Sequence, residues 1–498
     1  LFLGGELPVT SFFLRVFGCQ MNVYDADRLR TVFVERGWTE TSQEEAQVLV
    51  FLTCSIRDKA EQKVWSELGR IGAGRKKRKH PFVVVAGCMA ARVGERMARR
   101  FPWVRVVVGP RHLGDLPNAL EKSLADGALR LLLDEDPREV RDLCVPPKRR
   151  DNPWKGFVSI AHGCDNYCSY CIVPYVRGRF QSRPPGEILD EIQALVDDGV
   201  KEITLLGQNV NSYGTDNVAE GWTFARLLRR AARLSGVKRL RFATNHPKDL
   251  TDEVIAVMAE EPAVCPSLNL PLQAGSDRVL ALMNRGYSVE QYALLIDKLR
   301  SALVAPGITS DLIVGFPGER EEDFRASCAC LKRFRFDMVH TAAYSIREGT
   351  RAASMEGHLS EEVKQDRLRV VNALQRGISL EINKSLEGRV FEVLLDGHAP
   401  RGGGLLQGRT PHDKVVVVKA PETLLGHFVH VEILQGEHWC LRGRLLSSPD
   451  CRLARDVSDG RAASLSDMVP EAPPEDVAST MRGCGGSRAF SSCLEEGR

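Results

Sequence analysis

The chain has 498 residues, 43% hydrophobic and 27% charged, a balance typical of a globular protein with room for about three domains. Its 68 basic and 65 acidic residues leave a net charge of +3, which excludes a wholesale polycation but not a local basic face for nucleic acid. No apolar run approaches the ~20 residues of a membrane span, and the apolar opening at 1–17 holds Glu6 and Arg15 and lacks the small-residue exit of a signal peptide.

Four short apolar runs, at 11–17, 48–52, 82–86 and 104–108, read as buried parallel strands. Amphipathic stretches at 25–35 and 57–68 lie between them as helices. This β-α-β-α order predicts an α/β fold that opens with a flavodoxin-like open sheet over residues 10–143. A segment rich in Pro and charge follows at 144–154 and reads as a linker. Strand-like runs then recur at 157–161, 202–207, 239–243, 267–271, 309–315 and 338–345, with a helical stretch at 188–198 among them. Such a series predicts a full or partial (β/α) barrel over residues 150–382. From residue 388 the texture changes to five short strands, at 389–395, 404–409, 414–418, 428–434 and 441–446. They predict a small antiparallel β-barrel over residues 384–447. The end, 448–498, is polar and aperiodic and is expected to be disordered.

The 14 cysteines stand out. A reducing cytoplasm is the expected setting, since no Arg/Ser-rich transit segment is visible, although a chain that begins with Leu1 is expected to have a missing or processed start. In that setting cysteine clusters read as metal or redox ligands rather than disulfides. Cys164, Cys168 and Cys171 follow the first strand of the barrel region in a C-x3-C-x2-C pattern. Three such thiolates suit three irons of a [4Fe–4S] cluster with the fourth iron left open. The alternatives are chance clustering or a structural zinc site with His162 as its fourth ligand. Cys19, Cys54 and Cys88 each follow the carboxyl end of a predicted strand in the first domain, the edge where open sheets bind ligands. They are candidates for a second cluster, against the alternative that each is an ordinary core cysteine.

The core spacing is that of radical S-adenosylmethionine (SAM) proteins. From about residue 12 to 446 the chain resembles the radical-SAM methylthiotransferases, and within them the MiaB-type tRNA enzymes. The resemblance is carried by FGCQMN (17–22), TCSIRDKAEQKVW (53–65), GCDNYCSYCIVPYVRGR (163–179), TLLGQNVNSYG (204–214) and DLIVGFPGE (311–319). Ribosomal-protein-directed RimO-type enzymes have Pro-Lys after the first cysteine, and the threonylcarbamoyladenosine-directed branch has Lys-Val; this chain has Gln20-Met21. Those two branches are the alternative functions. The chain departs from the family at Asn269, where His is common, and at Ala274 and Asn245, where Ser is common.

The resemblance implies radical 2-methylthiolation of N6-isopentenyladenosine at position 37, next to the anticodon of tRNA. It implies a C-terminal TRAM domain, two [4Fe–4S] clusters, SAM, and a low-potential donor such as flavodoxin or ferredoxin. Of two SAM molecules, one methylates a sulfur at the cluster of Cys19, Cys54 and Cys88, and the other is cleaved at the cluster of Cys164, Cys168 and Cys171. Tyr170, Gly207, Gln208, Asn209, Gln273 and Ser276 are the candidate SAM contacts, with core packing or turn formation as the alternative for each. Asp311 and the 315–318 turn are weighed the same way. For RNA, Arg401, Arg409 and Lys414 of the small barrel and the basic run at 75–79 are candidate phosphate contacts. A monomer is expected. The other eight cysteines, at 144, 265, 328, 330, 440, 451, 484 and 493, are expected to be incidental.

Overall fold

The first module is built from strands that are apolar on both faces, as parallel strands covered on both sides must be. The computed structural model describes residues 10–55, 58–73, 81–133, 140–143, 145–216, 221–400 and 403–446. β1 (Ser11–Val16), β2 (Thr39–Glu40), β3 (Val48–Thr53), β4 (Phe82–Gly87), β5 (Val104–Val108) and β6 (Arg130–Leu132) form one parallel sheet. Its order is β2-β1-β3-β4-β5-β6, which is the doubly wound, flavodoxin-like order. The intervening helices are α1 (Gln20–Glu35), α2 (Asp58–Ala73), α3 (Cys88–Arg100) and α4 (Leu116–Asp126). Leu29 and Phe33 of α1 and Leu116 and Leu120 of α4 cover one face. Val64 and Leu68 of α2 and Met89 and Met97 of α3 cover the other. The first crossover leaves toward β2 and the next toward β4, so the sheet has its switch point between β1 and β3. The two edge strands β2 and β6 were not expected, being too short and too exposed to carry a pattern.

The second module is a ring of parallel strands left open on one side. β7 (Lys155–Ser159), the small antiparallel pair β8 (Ala161–His162) and β9 (Gln181–Ser182), β10 (Glu202–Leu206), β11 (Arg239–Phe242), β12 (Ser267–Asn269), β13 (Gly307–Val314) and β14 (Met338–Ala343) follow in order. Two triplets, β7-β10-β11 and β12-β13-β14, are joined by backbone bonds from Leu240 N to Ala263 O (2.7 Å) and from Cys265 N to Leu240 O (2.9 Å). The result is a six-stranded partial (β/α) barrel. Its helices are α5 (Val173–Arg177), α6 (Pro185–Asp197), α7 (Phe224–Ala232), α8 (Asp252–Glu260), α9 (Asp277–Leu282), α10 (Val289–Ala302), α11 (Glu321–Phe334) and α12 (Glu361–Lys384). Ile192, Leu228, Val257, Ile296 and Leu331 bring five of these helices onto one core with Val158, Ile203 and Leu240 of the strands.

The third module is the small barrel: β15 (Val390–His398), β16 (Leu406–Arg409), β17 (Val415–Val418), β18 (Phe428–Gly436) and β19 (Leu441–Leu445). It closes in the order β15-β16-β17-β19-β18, antiparallel at every seam except the parallel β17–β19 pair.

Charge decides where this barrel docks. Glu202, at the start of β10, is buried beside Arg241 (3.0 Å), Lys155 (3.5 Å) and Arg239 (3.8 Å). Arg239 reaches on to the carbonyls of Arg409 (2.8 Å) and Glu392 (2.9 Å), and Arg241 to those of Thr410 (2.7 Å) and Pro411 (2.9 Å). Lys155 pairs with Asp396. The small barrel therefore sits on the amino ends of the core strands, opposite the ends where ligands bind.

Candidate active site

Both cysteine triads sit where strands stop. Cys19 is the N-cap of α1, one residue past Gly18, Cys54 directly follows β3, and Cys88 opens α3. The three therefore line the carboxyl edge of the first sheet at its switch point. Gly18 makes the approach possible: a Cβ there would lie 2.2 Å from Cys54 Cβ, and its φ of 126° suits glycine. The Cys19 and Cys54 thiols are hydrogen-bonded, which lowers Cys19, while burial raises Cys88 against the opposing effect of Arg177. This edge faces the core barrel. Cys19, Met21 and Tyr24 pack against Phe157, Leu206 and Ala243, and the Tyr24 hydroxyl donates to Glu191 (3.0 Å), which Arg183 also holds (2.8 Å).

The core triad occupies the loop between β8 and α5. Cys164 and Cys168 are buried and Cys171 half-buried. The loop is pinned at several points. Cys164 N bonds to Gly178 O (3.2 Å), Ser169 N to Met283 O (3.0 Å), and Cys171 N to Cys168 O (2.8 Å). Gly163 has φ 68°, and a Cβ there would fall 2.0 Å from Arg179 O. Gly163→Ala is therefore expected to cost at least about 1–3 kcal/mol of strain and to lower core iron content, checked by iron analysis and thermal unfolding. Burial pushes the Cys164 thiol up to about 11 and Cys171 to about 12, so loading a metal here must release protons. His162 does not face the triad. Its Nε2 lies 3.3 Å from Asp142, which removes the fourth ligand of the zinc alternative. Among the described residues, no three His, Cys, Asp or Glu side chains are grouped to hold one ion; thiolates on separate irons of a cluster do not need that proximity.

Each triad has one buried arginine that the sequence alone did not single out. Arg285 Nη1 lies 3.3 Å from Cys168 Sγ, and its guanidinium stands over the Tyr287 ring at 5.3 Å. Arg177 Nε lies 3.2 Å from Cys88 Sγ. Neither pairing is visible in the chain order, since 117 and 89 residues separate the partners.

The mouth of the barrel carries buried polar atoms with no hydrogen-bond partner among the described residues. They are Gln208 Oε1, Asn209 Oδ1 and Asn211 Nδ2 after β10, Asn245 Oδ1 and His246 Nε2 after β11, Gln273 Oε1 after β12, and the Tyr344 hydroxyl after β14. Buried unpaired groups are costly, and a ring of them at the strand ends fits a polar zwitterionic ligand such as the methionine end of SAM. Burial pushes His246 down to about 2, so it meets a ligand as neutral imidazole. Of the residues singled out in advance, Gln208, Asn209 and Gln273 lie in this ring, and Gly207 directly precedes it at the end of β10. Ser276 does not join it, because its hydroxyl donates to Asp323 (2.6 Å). Tyr170 packs against the Ala274, Met283, Phe316 and Tyr344 cluster. Asp311 accepts from the Asn269 amide (3.1 Å), and at 315–318 Gly315 N bonds to Glu319 (3.0 Å) in a turn. Asn211 and His246 were not expected as contacts, and Asn245 stood out only as a departure from the family's usual Ser.

Outside the triad, Tyr167 and Tyr175 are 41% and 57% exposed, with their rings edge-to-face at 6.1 Å. Tyr175 borders an open depression of about 630 Å³ with Ile346, Glu348 and Arg351. The expected phosphate contacts of the small barrel fare differently. Lys414 is committed to Asp337 (2.6 Å) and Asn383 (2.7 Å) in the seam with the core, and Arg409 to Asp413 (2.8 Å). The partners of Lys414 belong to the core, far along the chain, whereas Asp413 is only four residues from Arg409. Arg401, the run at 75–79, Cys144 and the tail at 448–498 lie outside the described residues.

Comparisons with known proteins cover all three modules. The family model of the Radical SAM superfamily matches residues 158–331, that of Uncharacterized protein family UPF0004 residues 11–109, and that of the TRAM domain residues 384–446. Two solved structures of the radical S-adenosylmethionine methyltransferase TsrM from Kitasatospora setae share the fold, at TM-scores of 0.52 and 0.50 and 15% identity. The first covers 80% of this chain and 81% of its own; the second covers 78% and 79%. The fold and matches define a radical-SAM protein with a TRAM domain.

Curated relatives narrow this further. A tRNA-2-methylthio-N(6)-dimethylallyladenosine synthase of Nitratidesulfovibrio vulgaris is 43% identical over 88% of this chain and 99% of its own length. Enzymes of the same name from Thermodesulfovibrio yellowstonii and Aquifex aeolicus are 42% and 41% identical, over 88% and 87% of this chain and 99% and 98% of their own. The chain belongs to the family of tRNA-2-methylthio-N(6)-dimethylallyladenosine synthases. The ribosomal-protein-directed alternative is not favoured by these relatives.

Proposed function

We propose that this protein 2-methylthiolates N6-isopentenyladenosine at position 37 of tRNA, with its three modules divided at about 10–143, 150–382 and 384–447. The observation that carries the reading is the pair of cysteine triads at strand ends, joined through the packing of Cys88 on Ile172 and Val176, in a molecule whose barrel mouth is rich in unpaired polar atoms. In this reading Cys164, Cys168 and Cys171 hold the SAM-cleaving [4Fe–4S] cluster, and Cys19, Cys54 and Cys88 hold the second. When bound, the core cluster supplies the single electron that splits SAM and so provides a carbon radical able to take the hydrogen from adenine C2, which no protein base removes at neutral pH.

The chain's own residues bind and orient. Gln208, Asn209, Asn245, His246 and Gln273 satisfy their free atoms on SAM. Tyr170 and its apolar neighbours exclude water beside Cys171. Tyr167 and Tyr175 are platforms for unpaired bases of the anticodon loop, whose bases are splayed at low cost, and Arg351 meets a phosphate. The small barrel, docked at the far end of the core, takes a more distant part of the tRNA. We further propose action in the cytoplasm as a monomer, with a flavodoxin- or ferredoxin-type donor. No helix among the described residues is long and apolar enough to cross a membrane.

Tyr175→Ala is expected to weaken binding of an isopentenylated anticodon stem-loop by roughly 5- to 150-fold, the equivalent of about 1–3 kcal/mol of stacking. Fluorescence anisotropy checks this, with Tyr175→Phe near wild type. For the function as a whole, nucleoside analysis of tRNA from host cells with and without the gene is decisive. Unchanged 2-methylthio-N6-isopentenyladenosine on deletion would overturn the proposal.

A further inference from the structure

Arg177 belongs to the radical-SAM core but spends its charge on the first module. It is the last residue of α5, which begins two residues after Cys171. Its side chain is 5% exposed. Nε donates to Cys88 Sγ at 3.2 Å, while Nη2 lies 3.9 Å from Asp25 Oδ2 without a hydrogen-bond partner. Ile172 and Val176 of the same segment pack directly on Cys88.

As a structural ion pair this arrangement is poor. A guanidinium is always protonated, and burying it against one distant carboxylate and one thiol does not repay its desolvation. The geometry makes sense if Cys88 carries negative charge that the arginine offsets. An N–H bond to a ligating sulfur and a fixed cation in a low-dielectric site both favour the more reduced form of an iron–sulfur centre. Arg285 makes the same contact with Cys168, but from within its own module.

We infer that Arg177 is a positioning residue that sets the charge balance of the Cys19, Cys54 and Cys88 site from the core module, raising that site's reduction potential. Through α5 it ties the segment after Cys171 to Cys88, so the two triads hold one another in place. The inference rests on the proposal that the first triad holds an iron–sulfur cluster.

The test is a dithionite redox titration of the anaerobically reconstituted full chain, followed by electron paramagnetic resonance. Wild type is compared with Arg177→Met, Arg177→Gln and Arg177→Lys. A form with Cys164, Cys168 and Cys171 all changed to alanine assigns the signal of the first triad. The expected result is a lower midpoint potential for that signal in Arg177→Met, a smaller drop in Arg177→Gln and the smallest in Arg177→Lys, with the core signal unmoved. A purely structural residue would shift the melting temperature without that order. Two clusters with an unmoved midpoint in Arg177→Met would overturn the inference. If Arg177→Met fails to hold iron at the first triad, the Gln and Lys variants decide: unmoved midpoints in both overturn it. Iron for only one cluster in wild type would instead overturn the two-cluster proposal beneath it.

Discussion

Cys168→Ala is expected to abolish SAM cleavage outright, with release of 5′-deoxyadenosine falling to background. The middle cysteine of the core loop is the most constrained of the three. It is buried, its carbonyl accepts from Cys171 N at 2.8 Å, and its sulfur accepts from Arg285 at 3.3 Å. Two thiolates cannot hold a four-iron cluster with only one iron open. Cys265 and Cys330 are equally buried but lie in the barrel's lower wall and helical layer, so their alanine variants are expected to keep cleavage. Chromatography of reduced, reconstituted protein with SAM checks all three. Release that persists in Cys168→Ala would contradict the assignment of this triad.

Cys54→Ala is expected to separate two activities: methylthiolated product is lost entirely, while 5′-deoxyadenosine is still released. Cys54 stands on the first sheet, against Gly18 and hydrogen-bonded to Cys19. Its loss should empty the first triad and leave the second intact. Some fall in cleavage rate is expected because Cys88 and α5 pack together. Full product formation by Cys54→Ala would contradict the two-cluster account.

Much of the architecture was legible because burial writes itself into local pattern. Strands such as β3 and β4, covered on both faces, are nearly continuous apolar runs, and the cysteines follow them without a gap. Other features depend on contacts between segments far apart in the chain. Helix α1 begins at Gln20, and its N-cap residue, Cys19, makes no side-chain cap bond and is not a preferred capping residue, so the start carries no local signal. Lys414 reads as a free surface cation until Asp337 and Asn383 are brought opposite it. Arg177 and Arg285 look like ordinary basic residues, and only the fold reveals that each is aimed at a thiol. Ser276 was singled out by motif position, but its hydroxyl belongs to Asp323. The unpaired atoms of Asn211, Asn245 and His246 come together only when the strands close into a ring.

The most direct test of the account is one reaction. Anaerobically reconstituted protein, a low-potential reductant, SAM and tRNA carrying isopentenyladenosine are combined, and the digested tRNA is analysed by mass spectrometry. The account predicts conversion of isopentenyladenosine to its 2-methylthio derivative, dependent on both cysteine triads. Release of 5′-deoxyadenosine with the nucleoside left unmodified would contradict it.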